Sequence, residues 1–531
     1  MGSLGLGGAC VLATACLPAP GTATRSPDAV VAVAAARPAP PAMAAAPWRV
    51  DAPKPTDHPA AVDDAPALLL RGARLLIGNG KEITSGHVLL LRGRIAAVGD
   101  GPGTPPDGAR VIELAGKTVT PGLIDTHSHM GVFPMPAAQA HDDGNEMTAA
   151  TTGGARTLDA IWPFDPAFQR ALEGGTTTVQ VLPGSANLVG GRATTIKLSP
   201  ARTARDLIFA GAPFGLKMAC GENPKRVHGR GRHAAPGTRM GNLALQRGAF
   251  QKARRLIEEW ALWASSETVR RKAWEKKVAD GERRRDLLAS KREACLAKSR
   301  PERCLAALDA STASGPLDVE PFEAKLPPAR DLDTEALAAV LEGLSPVHVH
   351  CYRSDDMSAM LALGDEMGFQ VTSFHHALEA YKIRGDLARR KVSVSTWADW
   401  FGFKLEANDG IPENLALIHA TGADAIVHTD SPEGVRRMNQ EAAKGLWAGR
   451  HAGLAIGEAD AIRWVTENPA RALGVDRWVG TLEVGKDADI VVWSGNPFSV
   501  YTRADLVLVD GKIRHDAASP AKPWSDFEVE P

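Results

Sequence analysis

Residues 118–130 read TVTPGLIDTHSHM, and this stretch constrains the fold more than any other part of the chain. Its apolar run predicts a β-strand, and the proline and glycine before that run mark the start of the strand. His127 and His129 lie two residues apart at the strand end, so an extended backbone sends both imidazoles to one face. Two imidazoles on one face can bind one metal ion. Asp125 shares this face and is interpreted as a hydrogen-bonding residue behind the ligands.

Three later strand-like runs also end in histidine or aspartate. They are PVHVHCYRSDDM (346–357) with His348 and His350, FHHALEAYKI (374–383) with His375 and His376, and IVHTDSPEG (426–434) with His428 and Asp430. A single residue of this kind is more often a satisfied polar group than a ligand. Four such strand ends in a chain of 15 histidines indicate a shared site. The pattern leaves open which residue of each pair faces that site.

Eight strand-like runs alternate with helical stretches, which predicts a parallel sheet closed into an α/β, (β/α)8 TIM-like barrel. The runs are GLIDTHSH (122–129), TTTVQVLP (176–183), ATTIKL (193–198), GLKMACG (215–221), PVHVHCY (346–352), VTSFHHA (371–377), KVSVSTWA (391–398) and DAIVHTD (424–430). Short apolar runs punctuated by glycine at 67–122 and 479–514 predict a small β-sandwich module formed from both chain ends.

The predicted domain organisation has five parts. They are an export or lipoprotein leader (1–17), an Ala/Pro-rich tether (18–65), the composite β-module (66–120 and 476–515), the barrel (121–475) and a charged helical insertion within it (251–303). The insertion is interpreted as a solvated helical hairpin whose Trp260, Trp263 and Trp274 pack on the barrel. The alternative is a lid or a docking surface.

Composition and charge restrict the partners. The chain has 531 residues, 44% of them hydrophobic, and a net charge of -1, which gives no electrostatic reason to expect nucleic acid or an acidic membrane as the main partner. We expect a small-molecule substrate and a homo-oligomer. The leader predicts export to the periplasm or the bacterial envelope, with Cys16 as a lipid-anchored membrane tether. An unprocessed Ala-rich leader and a cytoplasmic protein are the alternatives.

Four cysteines lie outside the leader. Cys295 and Cys304 bracket CLAKSRPERC (295–304) and are predicted to form a disulfide in an oxidising compartment, with free thiols as the alternative. Cys220 and Cys351 adjoin candidate strand ends and are interpreted as small buried hydrophobes.

Several of these motifs together resemble the amidohydrolase superfamily, with greatest similarity to the branch of imidazolonepropionase and metal-dependent dipeptidases. They are TPGLIDTHSH (120–129), the later histidines, HTDSPEG (428–434) and ENPARALGVDRWVGTLEVGKDADIVVW (467–493). The resemblance runs from about Pro66 to Arg514. In that family, a strand-one HxH, one histidine each from strands five and six, and a strand-eight aspartate bind metal. The ligands that the resemblance implies are His127, His129, His350, His376 and Asp430.

The resemblance also decides between paired histidines. His350 is preferred over His348 because the family histidine lies seven residues before an apolar helix position, here Met357. His376 is preferred because a glutamate follows three residues later, here Glu379. Two-metal members carry a carboxylated lysine or a glutamate between the ions, for which Lys217 and Glu222 are equal candidates. If neither serves, the site holds one metal.

The implied enzyme is a hydrolase that cleaves a carbon–nitrogen bond of an amide, a peptide or a cyclic amide with zinc or a similar divalent ion, one or two per chain. Such an ion lowers the pKa of a bound water to roughly 7. Asp430 is the implied general base, and the ion, with His350 or His376, polarises the carbonyl. The alternative role for Asp430 is to cap a helix that starts at Ser431.

The substrate-binding hypothesis rests on a basic loop. Arg226 and Arg230 are candidates to bind a carboxylate on the substrate, and Tyr352 is a third candidate contact. The alternative for the arginines is an ordinary exposed loop. Two other functions remain open at this level: a deaminase acting on a ring amidine, and a non-catalytic binding protein tethered to the envelope.

Overall fold

The computed structural model describes residues 44–62, 64–312 and 319–519. The predicted leader, Cys16 and residues 18–43 of the predicted tether therefore lie outside the described residues. Within the described ranges, none of the helices combines the length and the apolar character needed to cross a bilayer.

The described elements comprise sixteen strands and twelve α-helices. The strands are β1 (Leu68–Leu76), β2 (Glu82–Leu91), β3 (Arg94–Asp100), β4 (Arg110–Glu113), β5 (Thr118–Pro121), β6 (Leu123–Ser128), β7 (Thr176–Val181), β8 (Val189–Lys197), β9 (Gly215–Ala219), β10 (Val347–Cys351), β11 (Ser373–His376), β12 (Ser393–Thr396), β13 (Ala425–Val427), β14 (Ile490–Trp493), β15 (Ala504–Val509) and β16 (Lys512–Asp516). The helices are α1 (Pro47–Val50), α2 (Pro166–Glu173), α3 (Glu222–Pro224), α4 (Arg239–Leu296), α5 (Pro301–Thr312), α6 (Leu332–Leu341), α7 (Ser354–Met367), α8 (Arg384–Arg390), α9 (Asn414–Ala420), α10 (Met438–His451), α11 (Glu458–Ala461) and α12 (Glu467–Leu473).

Side-chain caps set the starts of three helices around the barrel. The carboxylate of Asp165 accepts from the backbone N–H of Ala167 at the start of α2, where Pro166 occupies the first turn. Thr238 and Asp331 cap α4 and α6 in the same manner. Such a residue satisfies an amide that has no partner within its own helix, which localises the helix start.

The eight predicted barrel strands form one sheet in the order β6 to β13. One part of the prediction is wrong, because β8 pairs antiparallel with both β7 and β9. The reason is the short connection between β7 and β8, residues 182–188. A parallel pair needs a crossover of a dozen or more residues, whereas an antiparallel pair needs only a short loop.

The two end strands of this sheet, β6 and β13, meet through backbone and side-chain bonds. The Asp430 N–H donates to the His127 carbonyl at 3.0 Å. Both carboxylate oxygens of buried Asp125 accept from Thr429, one from its N–H at 3.3 Å and one from its hydroxyl. The sheet is thus an almost closed TIM-like barrel, and its closure brings His127 and Asp430 together.

Strands from both chain ends share the second sheet, whose order is β16-β15-β14-β5-β1-β2-β3, with β4 also paired to β1. Its buried face is aliphatic, with Leu70, Leu75, Val119 and Ile490 among the core residues. The expectation that this sheet folds into a sandwich remains a prediction.

A buried lysine of the barrel bonds to the second sheet. The ammonium of Lys197, on β8, donates to Asp487 and Asp510 at 2.5 Å each and to Asp489 at 3.3 Å. A buried ammonium requires paired charges of this kind. The contact orients the second sheet against the barrel.

The predicted tether (18–65) is incorrect for residues 44–62, which pack against the body of the protein. Trp48 is 2% exposed, and its ring meets Trp260 edge-on at 5.9 Å. His58 packs against both Phe209 and Trp478, with ring centroids 5.3 and 4.6 Å away. The Ala/Pro-rich composition did not predict this because a few aromatic anchors are enough to dock a segment.

The charged insertion is longer than predicted. Helix α4 is a continuous 58-residue helix that begins at Arg239, and at 1.5 Å per residue it is about 87 Å long. Trp260 packs into the core, as predicted. Trp263 packs against the same core, and its indole N–H donates to the Lys325 carbonyl. The indole N–H of Trp274 donates to the Glu320 carbonyl. Trp274 therefore packs on the segment after α5 and not on the barrel.

Both cysteine pairs are close enough to bond. Cys295 and Cys304 form a disulfide, with Cα atoms 5.4 Å apart. Cys220 and Cys351 also pair, which corrects their interpretation as isolated hydrophobes. Cys220 follows the last residue of β9, and Cys351 is the last residue of the parallel neighbour β10. Because Ala219 lies beside His350, the Cα atoms of the two cysteines are 5.3 Å apart.

We expect Cys295 and Cys304 to resist thiol labelling in exported, non-reduced protein because the disulfide blocks both sulfurs. Peptide mass spectrometry after alkylation measures this, and the reduced protein, in which both cysteines should label, is the control. Two alkylated cysteines in the non-reduced peptide would refute the pairing.

Candidate metal centre

The four strand ends that carry histidine or aspartate converge at the carboxyl ends of β6, β10, β11 and β13. The parallel strands of a barrel all end at one mouth, where barrel enzymes assemble their sites. Three residues at this mouth have left-handed backbones: His376 with φ of 69°, Ala377 with 38° and Asp430 with 53°. Such values are uncommon outside glycine and cluster at functional sites.

Three side chains bring their ligand atoms to the spacing that one metal ion requires. The Nε2 atoms of His127 and His129 are 3.3 Å apart. Asp430 Oδ1 lies 3.2 Å from His129 Nε2 and 3.7 Å from His127 Nε2. Ligand atoms about 2.0–2.2 Å from a tetrahedral zinc ion lie roughly 3.3–3.6 Å apart. The three residues therefore fit a zinc-sized cation.

The orientation of His129 fits the same conclusion. Its Nδ1–H donates to the Leu182 carbonyl at 2.8 Å, so Nε2 is the nitrogen directed at the centre. This Nε2 faces the Asp430 carboxylate at 3.2 Å. A proton on Nε2 makes this contact a hydrogen bond, and a metal ion would take the place of that proton.

His376 and His428 lie beside this triad. His376 Nδ1 is 4.0 Å from Asp430 Oδ2 and has no hydrogen-bond partner among the described residues. The backbone N–H of His376 donates to His428 Nε2 at 3.2 Å. One nitrogen from each of His127, His376 and His428 lies within 4.8 Å of the others. His428 is absent from the predicted ligands, although its position two residues before Asp430 puts it on the same strand face.

His350 is less closely placed than the other predicted ligands. Its ring centroid lies 4.5 Å from that of His376, but its nitrogens are in neither group of closely spaced ligand atoms. Its Nε2 accepts from the Asn223 amide at 3.3 Å, and its buried Nδ1 has no partner among the described residues. A buried nitrogen without a partner is costly, which keeps His350 a candidate for binding an ion or a substrate.

His375 and His348, which were not chosen as predicted ligands, form a buried chain of hydrogen bonds behind His127. His127 Nδ1 lies 2.9 Å from His375 Nδ1, and His375 Nε2 lies 3.1 Å from His348 Nδ1. If His127 turns the Nε2 lone pair towards the centre, its Nδ1–H donates to His375, and His375 in turn donates to His348. This chain orients a ligand from behind, a role that carboxylates or carbonyls usually have. The sequence did not predict this chain of hydrogen bonds, because His348 and His375 were considered only as alternative metal ligands to His350 and His376.

Lys217 and Glu222, the two candidate bridging groups, occupy different surroundings. Lys217 is fully buried, with Nζ 3.5 Å from His127 Nε2 and donating to the Pro183 carbonyl at 3.0 Å. Burial lowers the pKa of Lys217 to about 7. The Glu222 carboxylate instead lies 4.0 Å from Lys404. Lys217 is the one with a described contact to a predicted metal ligand.

The protonation states suit a cation. Burial holds the pKa values of His127, His350 and His376 well below the usual range, so their rings are neutral near pH 7. For Asp430, burial alone would raise the pKa, but the hydrogen bond and charge of His129 outweigh burial and lower it. Metal binding needs neutral imidazole and ionised carboxylate, and this site supplies both.

The predicted substrate contacts lie around the mouth. Arg226 and Arg230 are exposed on a short π-helical turn (Lys225–Gly231) after α3, and neither forms an ion pair with a described residue. The turn is anchored by buried His228, whose Nε2 bonds Asn187 at 2.8 Å on the β7–β8 loop that also contacts His129. Tyr352 is 6% exposed and stacks on His376 at 5.1 Å, so it supports the centre from one side.

Comparisons with known proteins agree with this geometry. The sequence profile of the Amidohydrolase family matches residues 404–529. The crystal structure of an amidohydrolase from Thermotoga maritima MSB8 is 30% identical, with a TM-score of 0.65 over 84% of this chain and 99% of that one. Amidohydrolase tasK of Hapsidospora irregularis is 33% identical over 449 residues, 81% of this chain, and the chain spans 40% of its length. Imidazolonepropionase of Maricaulis maris is 25% identical over 406 residues, 76% of this chain and 85% of that enzyme.

Proposed function

The chain belongs to the amidohydrolase superfamily, and from that premise we propose that it cleaves a carbon–nitrogen bond of an amide, a peptide or a cyclic amide. The single observation that carries the proposal is the approach of His127, His129 and Asp430 to within 3.2–3.7 Å at the barrel mouth. His350 and His376 complete the proposed ligand set.

The proposed cofactor is zinc or a similar divalent ion, one or two per chain. It supplies Lewis acidity, which lowers the pKa of water and polarises a carbonyl. A second ion would need a bridging ligand, and Lys217 is the proposed one because its Nζ lies 3.5 Å from His127 Nε2. Its lowered pKa leaves a substantial fraction of the amine uncharged at neutral pH, the form that can react with carbon dioxide or bind a cation.

Asp430 is the proposed general base. Its Oδ1 is directed at His129, whereas Oδ2 lies 4.0 Å from His376 Nδ1, which is beyond hydrogen-bond distance. Oδ2 is therefore the oxygen free to accept a proton from the attacking water. The same oxygen would return the proton to the leaving nitrogen as the C–N bond breaks. The ionised carboxylate that this requires is the form favoured by the lowered pKa.

The proposed substrate carries a carboxylate. Arg226 and Arg230 support this because both guanidinium groups are exposed on a turn anchored beside the loop that contacts His129. A planar guanidinium binds a carboxylate through two parallel hydrogen bonds. Tyr352 is proposed to contribute its hydroxyl, because its ring stacks on His376 at 5.1 Å and has the Lys404 ammonium 4.1 Å above it.

We expect purified protein to carry one or two equivalents of zinc or a similar transition metal, because five potential ligands converge at one mouth. Chelation should remove both metal and amide hydrolysis, and added zinc should restore them. Elemental analysis of the same samples measures the metal, and a screen of N-acyl amino acids, dipeptides and cyclic amides measures hydrolysis.

The alternatives give different results in this experiment. No bound metal, with no activity after metal addition, would contradict the proposal. Ammonia release from a ring amidine without amide hydrolysis would instead indicate a deaminase. The protein before chelation is the control for losses during handling.

A further inference from the structure

A cavity of about 350 Å³ opens beside Asp430, between two loops of the barrel mouth. One wall consists of Trp397 and Trp400, on the loop after β12. The opposite wall consists of Thr429, Ser431 and Gly434. Cavities of this size hold small ligands or parts of them.

The cavity adjoins the candidate metal centre. Thr429 and Ser431 are the chain neighbours of Asp430. The Trp397 ring stacks on His376 with centroids 4.6 Å apart, and its indole N–H donates to the Thr429 carbonyl at 3.0 Å. A group in the cavity would therefore contact Thr429 and Ser431, the chain neighbours of the proposed base, and Trp397, which stacks on the proposed ligand His376.

The exposed part of the wall is aromatic. Trp400 lies 4.9 Å from Trp397 and 5.8 Å from Phe403, by ring centroids. Trp400 and Phe403 are each 48% exposed, so large apolar surfaces remain in contact with solvent beside the site. Covering such surface with an apolar group is favourable, and aromatic pairs gain further from ring geometry.

Charge at the rim of the cavity is balanced in part. Asp399 and Glu441 also line it, and both carboxylates bond to Lys444, the first at 2.6 Å. One ammonium between two carboxylates leaves a single negative charge at the rim, which disfavours an anionic occupant, and the tryptophans provide the main recognition surface. The chemistry of the cavity therefore suits an uncharged, flat or bulky apolar group.

We propose that this cavity is the subsite for an aromatic or large aliphatic side chain adjoining the scissile bond of the substrate. The proposal rests on the proposed hydrolase function for the position of that bond. The substrate class that follows is an N-acyl amino acid or a dipeptide with a hydrophobic residue next to the bond that is cut.

Binding of two probes to the full-length protein tests the subsite apart from turnover. N-methanesulfonyl-phenylalanine and N-methanesulfonyl-alanine share the carboxylate, replace the scissile amide with a sulfonamide that is not hydrolysed in this way, and differ in the side chain. We expect the wild type to bind the phenylalanine probe about tenfold more tightly, measured by calorimetry. Trp400→Ala should remove most of this preference, and Trp400→Phe should retain most of it.

A matched control separates the subsite from a general effect of losing an exposed tryptophan. Trp447 is 49% exposed on α10 and does not line the cavity, so Trp447→Ala should keep the full preference. Equal binding of both probes by the wild type, or an unchanged preference in Trp400→Ala, would overturn the subsite. Preference in binding without hydrolysis of any amide by the metal-loaded protein would leave the subsite standing and contradict the proposed function.

Discussion

Replacing His127 with alanine is expected to abolish metal binding and hydrolysis together. His127 Nε2 lies 3.3 Å from His129 Nε2 and 3.7 Å from Asp430 Oδ1, so the substitution removes one corner of the most compact group of ligand atoms. Few neutral-nitrogen ligands remain, and affinity depends on each of them. The activity loss should exceed the roughly 10²–10⁴-fold that a general base alone contributes. Elemental analysis and steady-state kinetics on one preparation measure both effects.

His451 provides a control on the same chain. It is exposed at the end of α10, so His451→Ala should keep full metal content and turnover. Because His127 also lies 2.9 Å from His375, thermal unfolding of His127→Ala should be recorded to exclude a folding defect. A folded variant with wild-type metal content would remove His127 from the ligand set.

Asp430→Asn is expected to separate metal binding from catalysis. Asparagine keeps the shape of the side chain and one coordinating oxygen, but its amide cannot take a proton from water. It also tolerates the left-handed backbone of this position, where φ is 53°, better than alanine does. The variant should retain much of its metal and lose turnover by roughly 10²–10⁴-fold. Turnover and metal content measured side by side decide the result.

The competing role for Asp430, capping the following helix, predicts a different outcome, since asparagine caps almost as well as aspartate. In the structure, the hydroxyl of Ser431 accepts from the Gly434 N–H at 3.0 Å, so Ser431 fills that role. Asp424→Asn, at the start of β13 and ion-paired with Arg471, is a matched control that should keep normal turnover. Near wild-type turnover of Asp430→Asn would exclude it as the base.

Local patterns in the sequence were sufficient to predict the barrel strands and the polar residues at their ends. All eight predicted runs overlap strands of the barrel sheet, because apolar runs bounded by glycine and proline depend on nearby residues only. The two-residue spacing of His127 and His129 likewise predicted a shared face, and the structure brings their nitrogens to 3.3 Å. Asp430 approaches them because β13 carries it to the same mouth.

These local patterns could not predict features that depend on residues far apart in the chain. The direction of β8 follows from a short connection, and the docking of Trp48 depends on Trp260, more than two hundred positions away. At the site, neighbouring residues of an extended strand would point to opposite faces of the sheet. His376 has a left-handed backbone, and the side chains of His375 and His376 both reach the candidate metal centre, the first at His127 and the second near Asp430.

The sequence by itself determined that four strand ends carry possible ligands, since strand periodicity is a local property of the backbone. Only the tertiary structure decided which of those atoms lie within reach of one cation. It brought Lys217 to His127 and Glu222 to Lys404, and it set His348 and His375 behind the ligands. The reason is physical: coordination and hydrogen bonding act over about 2–4 Å, and barrel closure alone brings residues 127 and 430 to that separation.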